Sequence, residues 1–411
     1  MVVENNVTIE PCREVRSLAF RYNKGPSGGP GGSNALLEIS NAQMHIIPNF
    51  ICFYRETFPI TNSLAYRVYR RFFNRKGLKK IFTFLEKQYF SEEQYFIKQA
   101  IRSDSYPVIY IAHDVWSAEQ LSKQNKPFIM AYHQQGSLVA EHESFGGKIT
   151  DEFISWVRKV EHSAFLSAKK VIFTSMGARK SFLETSPLCK EDLAHIEANS
   201  VIVYNSCLLP NKPCIPAEFE KVKVARIGKS DKLKRIILTV SSLSNLKGVD
   251  QIPSFLNRLK NFQEDFIWVL CGSGHLKLEI YEKIKAYGFE ENFVHIERRM
   301  TQDELLYFYQ QADYYLMMHR ISIFDLATLE AMTSGCIPVL SPVGGNLENN
   351  VMANVIFTNE VINTLPTEQS EIERLASLNI KAFEQYFSNR SLLDGYLSVI
   401  QKVASELVLQ L

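Results

Sequence analysis

The C-terminal third of the chain contains the feature that most constrains its fold, a strand-helix-strand segment followed by a glycine loop. Residues 314–318 form an uninterrupted apolar run, which predicts a strand buried on both faces of a parallel sheet. Residues 324–333 predict a helix, and Gly335 lies where a left-handed C-terminal residue is expected. Residues 337–340 predict the next strand. This order predicts an α/β domain with parallel strands.

The two loops of this segment predict a ligand site. In parallel α/β sheets, ligands bind beyond the carboxyl ends of the strands. There, the start of the predicted helix offers backbone N–H groups and partial positive charge to an anion. Gly344 and Gly345 follow the second strand and allow the backbone to approach a ligand, because no Cβ intervenes. Glu330 lies on the same helix, within predicted reach of that ligand. The residues alone leave open a β-α-β unit of some other Rossmann-like protein.

The segment resembles the donor-binding segment of retaining GT-B glycosyltransferases. Their pattern is Glu-Gly-Phe-Gly-Leu, three residues, Glu-Ala-Met-Ala-x-Gly, then Pro-Val and Gly-Gly-x-x-Glu. The matching positions are Phe324, Leu326, Glu330, Ala331, Met332, Gly335, Pro338, Val339, Gly344, Gly345 and Glu348. Four positions depart from the pattern: Ser322 replaces its first Glu, Ile323 and Asp325 replace its two Gly, and Thr333 replaces an Ala. The resemblance implies an α/β protein with the GT-B fold, in which two Rossmann-like domains face each other across a deep cleft.

The resemblance extends over the rest of the C-terminal half. In the family, an Arg and a Lys after the first strand of this domain clamp the donor diphosphate. Lys247 matches the Lys, whereas Ser242 stands at the position of the Arg. Gly272 matches the first Gly of the Gly-x-Gly after the second strand. Arg298, near the predicted base-binding loop, and Arg320, near the predicted sugar-binding loop, are the candidates to replace the missing cation.

A glycine-rich loop near the N-terminus is a second candidate ligand loop. Residues 24–33 separate a predicted first strand at 15–20 from a helical pattern that begins at Asn34. Such a loop either cradles a ligand or is a plain flexible connection, and the residues do not decide between these. In the resembled family, a Gly-Gly pair opens this helix and faces the cleft. Gly31 and Gly32 are the matching pair.

Two predicted strands of the N-terminal half each end in a histidine. His113 follows residues 108–112, and His133 follows residues 127–132. One histidine at a strand end is usually structural, but two at successive carboxyl ends point to the ligand side of a sheet. The resemblance implies that His133 lies beside the donor sugar and pyrophosphate, so we predict it as a catalytic residue. We predict His113 as its support.

Residues 66–82 contain seven basic and no acidic residues, interleaved with aromatic ones. This pattern fits either contact with an anionic membrane surface or a solvated helix that packs its aromatic side chains inwards. Glycosyltransferases with lipid-linked acceptors often have such a patch in the N-terminal domain.

Length, charge and composition limit the classes of protein to which the chain can belong. A length of 411 residues suits two domains, and a net charge of +2 argues against nucleic-acid binding. The seven cysteines include no C-x-x-C pair, which suits a reducing cytosol. The chain has no apolar run of membrane-spanning length and no Asp-x-Asp. We therefore expect a cytoplasmic protein, free or peripheral at the inner face of the membrane, without a metal ion or other cofactor.

The resemblance implies the domain boundaries. Residues 1–206 are predicted as a Rossmann-like acceptor-binding domain and residues 207–232 as a linker. Residues 233–385 are predicted as a Rossmann-like domain that binds the nucleotide sugar. Residues 386–411 are predicted as a C-terminal helix that crosses back to the first domain.

The predicted function is transfer of a hexose-type sugar, with retention, from a nucleotide-sugar donor to a glycan, lipid-linked or protein acceptor in bacterial surface polysaccharide or glycoconjugate synthesis. The predicted catalytic residues are His133 and Lys247. The predicted donor-binding residues are Gly31, Gly32, Ser242, Gly272, Arg298, Arg320, Ser322, Phe324, Asp325, Leu326, Glu330, Gly344 and Gly345. Two alternatives remain: a non-catalytic GT-B subunit that binds a partner transferase or acceptor protein, and a sugar-phosphate epimerase or phosphorylase of the same architecture.

Overall fold

The chain forms two compact α/β units, each built around one parallel sheet of six strands. The structure, a computed structural model, describes residues 14–19, 29–54, 108–134, 136–144, 147–208, 210, 212–227, 233–348, 355–358 and 362–408. The first unit consists of Met1–Thr174, Arg179–Val203 and Leu392–Leu411, and the second of Ser175–Ala178 and Tyr204–Ser391.

The sheet of the first unit has the order β2-β1-β3-β4-β5-β6, with every neighbouring pair parallel. Its strands are β1 (Glu14–Ala19), β2 (Phe50–Tyr54), β3 (Val108–Ala112), β4 (Phe128–Tyr132), β5 (Lys170–Phe173) and β6 (Ser200–Ile202). Strands β3 and β4 are buried at every residue, which explains their uninterrupted apolar sequences. The register pairs Ala112 with Met130, so the residues that follow β3 and β4 reach the same edge of the sheet.

Helices connect these strands. They are α1 (Pro30–Met44), α2 (Val115–Lys123), α3 (Leu138–Ser144), α4 (Asp151–Leu166), α5 (Met176–Thr185) and α6 (Lys190–Ala198). Asp114 caps α2, because its side chain accepts the Ser117 N–H at 2.8 Å. The core between sheet and helices contains an aromatic cluster of Tyr132, Phe165, Phe173 and Phe182.

The sheet of the second unit has the order β12-β11-β10-β7-β8-β9, and its neighbouring strands are all parallel. Its strands are β7 (Arg235–Val240), β8 (Phe266–Cys271), β9 (Phe293–Ile296), β10 (Tyr314–Met317), β11 (Ile337–Leu340) and β12 (Ile356–Phe357). The strand order reverses between β7 and β10, which makes this pair a topological switch point. Ligands of open α/β sheets bind beside the loops that leave such a point.

Helices also connect the strands of the second sheet. They are α7 (Phe219–Arg226), α8 (Ile252–Arg258), α9 (Phe262–Asp265), α10 (Lys277–Tyr287), α11 (Gln302–Gln311), α12 (Leu326–Thr333) and α13 (Gln369–Ala382), and α14 (Asn389–Val408) ends the described chain. Residues 392–408 of α14 belong to the first unit. Thr301 and Glu304 start α11 with a reciprocal capping box.

The predicted strands at 108–112 and 337–340 are confirmed. The helix predicted from about residue 324 to residue 333 is confirmed, although it begins at Leu326. The reason is that Asp325 has extended backbone angles and uses its side chain to cap the helix. Strand β2 was not predicted, because as an edge strand it is only partly buried and its sequence lacks a clear alternation.

Some predictions lie outside the described residues, among them the membrane contact of residues 66–82 and the part of the glycine loop before Gly29. Within the described ranges, no helix is long and apolar enough to cross a membrane. The six described cysteines are all free thiols.

Candidate active site

The histidines that follow β3 and β4 are in direct contact. His113 Nδ1 lies 2.8 Å from His133 Nε2, and the planes of the two rings are 10° apart. Ser17 of β1 contacts the far side of His113, with its Oγ 2.9 Å from Nε2. Ser33 of α1 contacts the far side of His133, with its Oγ 3.2 Å from Nδ1. Three neighbouring strands and one helix therefore hold a continuous chain of four side chains.

Both rings are neutral, because both are buried. Burial lowers the pKa of His133 to about 3. Burial, together with the neighbouring His133, holds the pKa of His113 well below its ordinary value. A neutral imidazole carries one N–H and one acceptor nitrogen. This pair can therefore bind, orient and exchange hydrogen bonds near neutral pH, but it does not supply a positive charge.

Gly31 and Gly32 form the first turn of α1, immediately before Ser33. Gly29 precedes this turn with φ 83°, and its carbonyl accepts the Ser33 N–H at 2.9 Å. Gly31 and Gly32 thus lie next in sequence to the serine that contacts His133. Their predicted contact with a donor stays a prediction.

In the second unit, Lys247 lies at the switch point, on a single 3-10 turn after β7. The Arg320 N–H donates to the Leu246 carbonyl at 3.0 Å, so the loop after β10 packs on this turn. Lys247 Nζ donates to Asp325 Oδ1 at 3.0 Å. The side chain of Lys247 is 31% exposed and that of Asp325 is 10% exposed. The ammonium group thus lies over a buried carboxylate and keeps one side open to solvent.

Asp325 is the centre of this cluster. Besides Lys247, it accepts the Thr328 N–H at 3.2 Å and the Tyr315 hydroxyl at 3.3 Å. His319 Nε2 lies 3.4 Å from its Oδ1. Burial raises the pKa of Asp325, but the charges of Lys247 and His319 outweigh burial and hold this pKa well below its ordinary value. Asp325 is therefore an ionised carboxylate at the start of α12, where an anion is favoured.

The loop between β10 and α12 packs against the glycine loop after β11. The Gly345 N–H donates to the Ser322 carbonyl at 2.8 Å. A Cβ at Gly344 would collide with the Ser322 carbonyl, and a Cβ at Gly345 with that of Ile323. Gly344 also has φ 49°, a conformation that side chains disfavour. Both glycines are therefore required for this close packing, independently of any ligand.

Three predicted donor-binding residues flank Asp325. Ser322 is buried, and its hydroxyl has no hydrogen-bond partner within the described structure. Phe324 is buried against Tyr204 and Phe387, so its side chain belongs to the core. Leu326 is the first residue of α12. A buried hydroxyl without a partner is costly unless a ligand or water satisfies it, which favours Ser322 as a ligand contact.

Glu330 lies on α12, one helical turn beyond Leu326. Its Oε2 accepts the Tyr309 hydroxyl at 2.9 Å. Burial raises the pKa of Glu330 to about 7; the hydrogen bond from Tyr309 opposes this shift, and the charge of Asp325 adds to it. Glu330 therefore changes its charge near neutral pH.

The other predicted donor contacts are distributed over neighbouring loops. Arg320 forms a bidentate pair with Asp250, at 2.8 and 2.6 Å. Arg298 is clamped between Glu218 and Glu304. The remaining two, Ser242 and Gly272, lie in the loops after β7 and β8, and the Ser242 hydroxyl is 3.5 Å from that of Ser244. Both arginines are thus neutralised, and their role toward a diphosphate stays a prediction.

Comparison with known proteins agrees with this architecture. The model of the family "Glycosyl transferases group 1" matches residues 222–377, which lie in the second unit. Anabaena HepE, solved with UDP and glucose, is 15% identical with a TM-score of 0.62, over 95% of this chain and 100% of its own. A glycosyltransferase from Rickettsia africae is 14% identical with a TM-score of 0.59, over 96% of this chain and 99% of its own. The chain therefore has the GT-B fold, and its second unit contains a glycosyltransferase domain.

Another structure similar to this chain is α,α-trehalose 6-phosphate synthase from Burkholderia multivorans. It is 11% identical with a TM-score of 0.61, over 96% of this chain and 99% of its own. No match was found among the curated proteins.

Sequence reasoning missed several side chains that contact predicted site residues, among them Tyr309, Tyr315 and Asp250. Tyr309 binds Glu330, Tyr315 binds Asp325, and Asp250 binds Arg320. Tyr315 belongs to a strand that was predicted, and the apolar surroundings of both tyrosines favoured core packing. For Asp250, the sequence offered one signal, its position three residues after Lys247 among mostly apolar neighbours. An acidic residue in such surroundings is rarely buried unless it is paired.

Proposed function

We propose that this protein moves a hexose-type sugar from a nucleotide-sugar donor to a hydroxyl-bearing acceptor, with retention and without a metal ion. The observation that carries the proposal is the position of Lys247. It is a cation at the switch point of the second sheet, beside the start of α12 and held by Asp325. The structure of HepE with UDP and glucose supports the same class of donor for this chain.

The mechanism follows from charge. Glycosyl transfer develops negative charge on the departing diphosphate, and fixed cations and backbone N–H groups stabilise such charge. Lys247 has three N–H donors, of which one goes to Asp325, so the others are available to the diphosphate. We propose that backbone N–H groups near Ser322 hold the sugar, that Glu330 accepts hydrogen bonds from the ribose, and that His133 lies against the donor. The leaving diphosphate then takes the proton of the acceptor hydroxyl.

We further propose that the acceptor is a glycan, a lipid-linked glycan or a protein used in bacterial surface polysaccharide or glycoconjugate synthesis. The basic segment 66–82, which lies outside the described residues, would favour a lipid-linked acceptor at the inner face of the membrane.

A second candidate function is that of a non-catalytic subunit. One observation favours it: each of the three cations assigned to the donor faces a carboxylate. Lys247 is paired with Asp325, Arg298 with Glu218 and Glu304, and Arg320 with Asp250. A site without net positive charge binds a diphosphate less strongly than one with free cations.

A donor screen separates the two. We expect calorimetric titration with UDP, GDP and their sugars to show saturable binding of one nucleotide, and mass spectrometry to show its sugar transferred or slowly hydrolysed. Binding without turnover across all acceptor classes would favour the non-catalytic subunit, and no nucleotide binding at all would contradict the proposed function.

The ionisation of Glu330 predicts how donor affinity depends on pH. The ribose hydroxyls donate best to a carboxylate, and the pKa of Glu330 is raised to about 7. We therefore expect affinity for the nucleotide sugar to rise up to about tenfold between about pH 6 and pH 8, as Glu330 loses its proton. Calorimetry measures this directly, since a nucleotide-sugar diphosphate has no ionisation in that range. Glu330→Gln should flatten the dependence, and a slope unchanged in this variant would assign it to another group.

A further inference from the structure

The four side chains Ser17, His113, His133 and Ser33 are joined end to end, and every ring nitrogen of the two histidines has a partner. Their side chains lie in the interior, with residue exposures of 0%, 1%, 5% and 9% in that order. Buried polar groups with complete hydrogen bonding are fixed in place, because each lost bond leaves a buried group without a partner. The position of His133 is therefore tied to that of His113.

The hydrogen bond between the two rings couples their tautomers. Only one of the facing nitrogens, His113 Nδ1 and His133 Nε2, can carry the proton in their 2.8 Å contact. If His113 donates, His133 has its N–H at Nδ1 and donates to Ser33. If His133 donates, its Nδ1 accepts from Ser33, and His113 donates to Ser17. Whether His133 carries a hydrogen at Nδ1 is thus tied to which nitrogen of His113 carries one.

The two sides of His133 are not equivalent. Its Nε2 is bound at 2.8 Å to the ring of His113, which also packs against Tyr396. Its Nδ1 has the longer contact, 3.2 Å, to Ser33. Ser33 lies in the first turn of α1, next to Gly31 and Gly32. The Nδ1 side, with the Ser33 hydroxyl, is therefore the side on which a ligand can replace or extend an existing hydrogen bond.

We propose that His113 is a positioning residue that sets the ring orientation and the tautomer of His133. His133 then presents Nδ1 and the Ser33 hydroxyl to the ligand, while Ser17 anchors the far end. The proposal rests on the proposed function only for the identity of that ligand, the nucleotide sugar or its acceptor. The coupling of the two rings stands on the contacts of the first unit alone.

Two variants of His113 form a matched pair that tests the proposal. An asparagine amide occupies approximately the place of Nδ1, so His113→Asn keeps a partner for His133 and loses the bond to Ser17. A glutamine amide reaches approximately the place of Nε2, so His113→Gln keeps the bond to Ser17 and leaves His133 Nε2 without a partner. Both substitutions are polar, uncharged and of similar volume.

The first measurement is NMR of the full chain with 15N-labelled histidine, which needs no turnover. We expect His133 in the wild type and in His113→Asn to show one protonated and one unprotonated ring nitrogen at distinct shifts. In His113→Gln we expect these shifts to move toward each other as the tautomers mix. Identical His133 spectra in all three proteins would overturn the proposal.

The second measurement is the split between kcat and KM. A displaced catalytic group costs roughly tenfold to hundredfold in rate, so we expect that loss of kcat in His113→Gln, with a smaller change in the KM for the donor. We expect His113→Asn to stay within about threefold of the wild type. Equal losses of kcat in both variants would mean that His113 acts as a core residue and not through His133.

Ser17→Ala and Ser40→Ala provide a check that does not alter either ring. Both serines are fully buried in the first unit, but the Ser40 hydroxyl has no partner in the described structure. We expect Ser17→Ala to shift the His133 resonances and Ser40→Ala to leave them unchanged. This comparison also holds if His113→Gln does not fold.

The results also separate this inference from the proposed function. Coupled NMR shifts without any donor binding would contradict the proposed function alone, whereas turnover with uncoupled rings would contradict this inference alone.

Discussion

Replacing Lys247 by alanine is expected to reduce turnover of the nucleotide sugar at least tenfold, with the fold retained. Loss of one preorganised donor from a developing charge costs roughly 10²–10³ in rate, so tenfold is the lower bound. The ammonium group of Lys247 lies 3.0 Å from Asp325 and remains partly open to solvent, where the diphosphate is proposed to bind. Steady-state kinetics should show the loss in kcat, because the charge develops only in the transition state.

A matched control separates this effect from general loss of charge. Lys223 forms a similar pair with Glu220 at 2.6 Å, but on the exposed helix α7. Lys223→Ala should leave both stability and kcat nearly unchanged, since exposed pairs contribute little. If Lys247→Ala is folded and nearly as active as Lys223→Ala, Lys247 does not hold the diphosphate.

Replacing Asp325 by alanine is expected to destabilise the second unit by about 2–3 kcal/mol. The substitution removes the cap of α12, a contribution of about 1 kcal/mol. It also leaves Lys247, Tyr315 and His319 without the carboxylate that they surround. The expected value is below that of a fully buried ion pair, because Lys247 is partly exposed.

The measurement must report on the second unit by itself, since a chain of two units need not unfold in one step. Trp268 is buried in β8, whereas the other two tryptophans, Trp116 and Trp156, belong to the first unit. With both of those replaced by phenylalanine, Trp268 fluorescence in urea follows the unfolding of the second unit. An unchanged midpoint for Asp325→Ala would contradict the central position of this carboxylate.

Asp325→Asn distinguishes the cap from the charge. Asparagine caps helices about as well as aspartate, so this variant should recover the cap contribution of about 1 kcal/mol. It should not recover the pairing with Lys247. In the double variant of Asp325→Asn and Lys247→Ala, the loss of stability should be smaller than the sum of the two single losses. The reason is that both substitutions remove the same interaction.

Local patterns in the sequence were sufficient to predict the main elements of the second unit, which is proposed to bind the donor. The apolar run before His319, the helix that carries Glu330 and the two glycines after β11 are all features of neighbouring residues. Each results from short-range rules, such as burial of a strand on both faces or the absence of a Cβ at a close approach. The same rules placed His113 and His133 at the ends of two strands, and the structure confirms these positions.

The partners of these residues were decided only by the tertiary structure. The register of β3 against β4 brings the two histidines together, and α1 supplies Ser33 from 100 residues away in the chain. Asp325, which was predicted as a donor contact at a position where the family pattern has a glycine, meets Lys247 across 78 residues. The physical reason is that periodicity encodes which face of an element is buried, whereas a hydrogen bond between two side chains depends on how distant elements pack against each other.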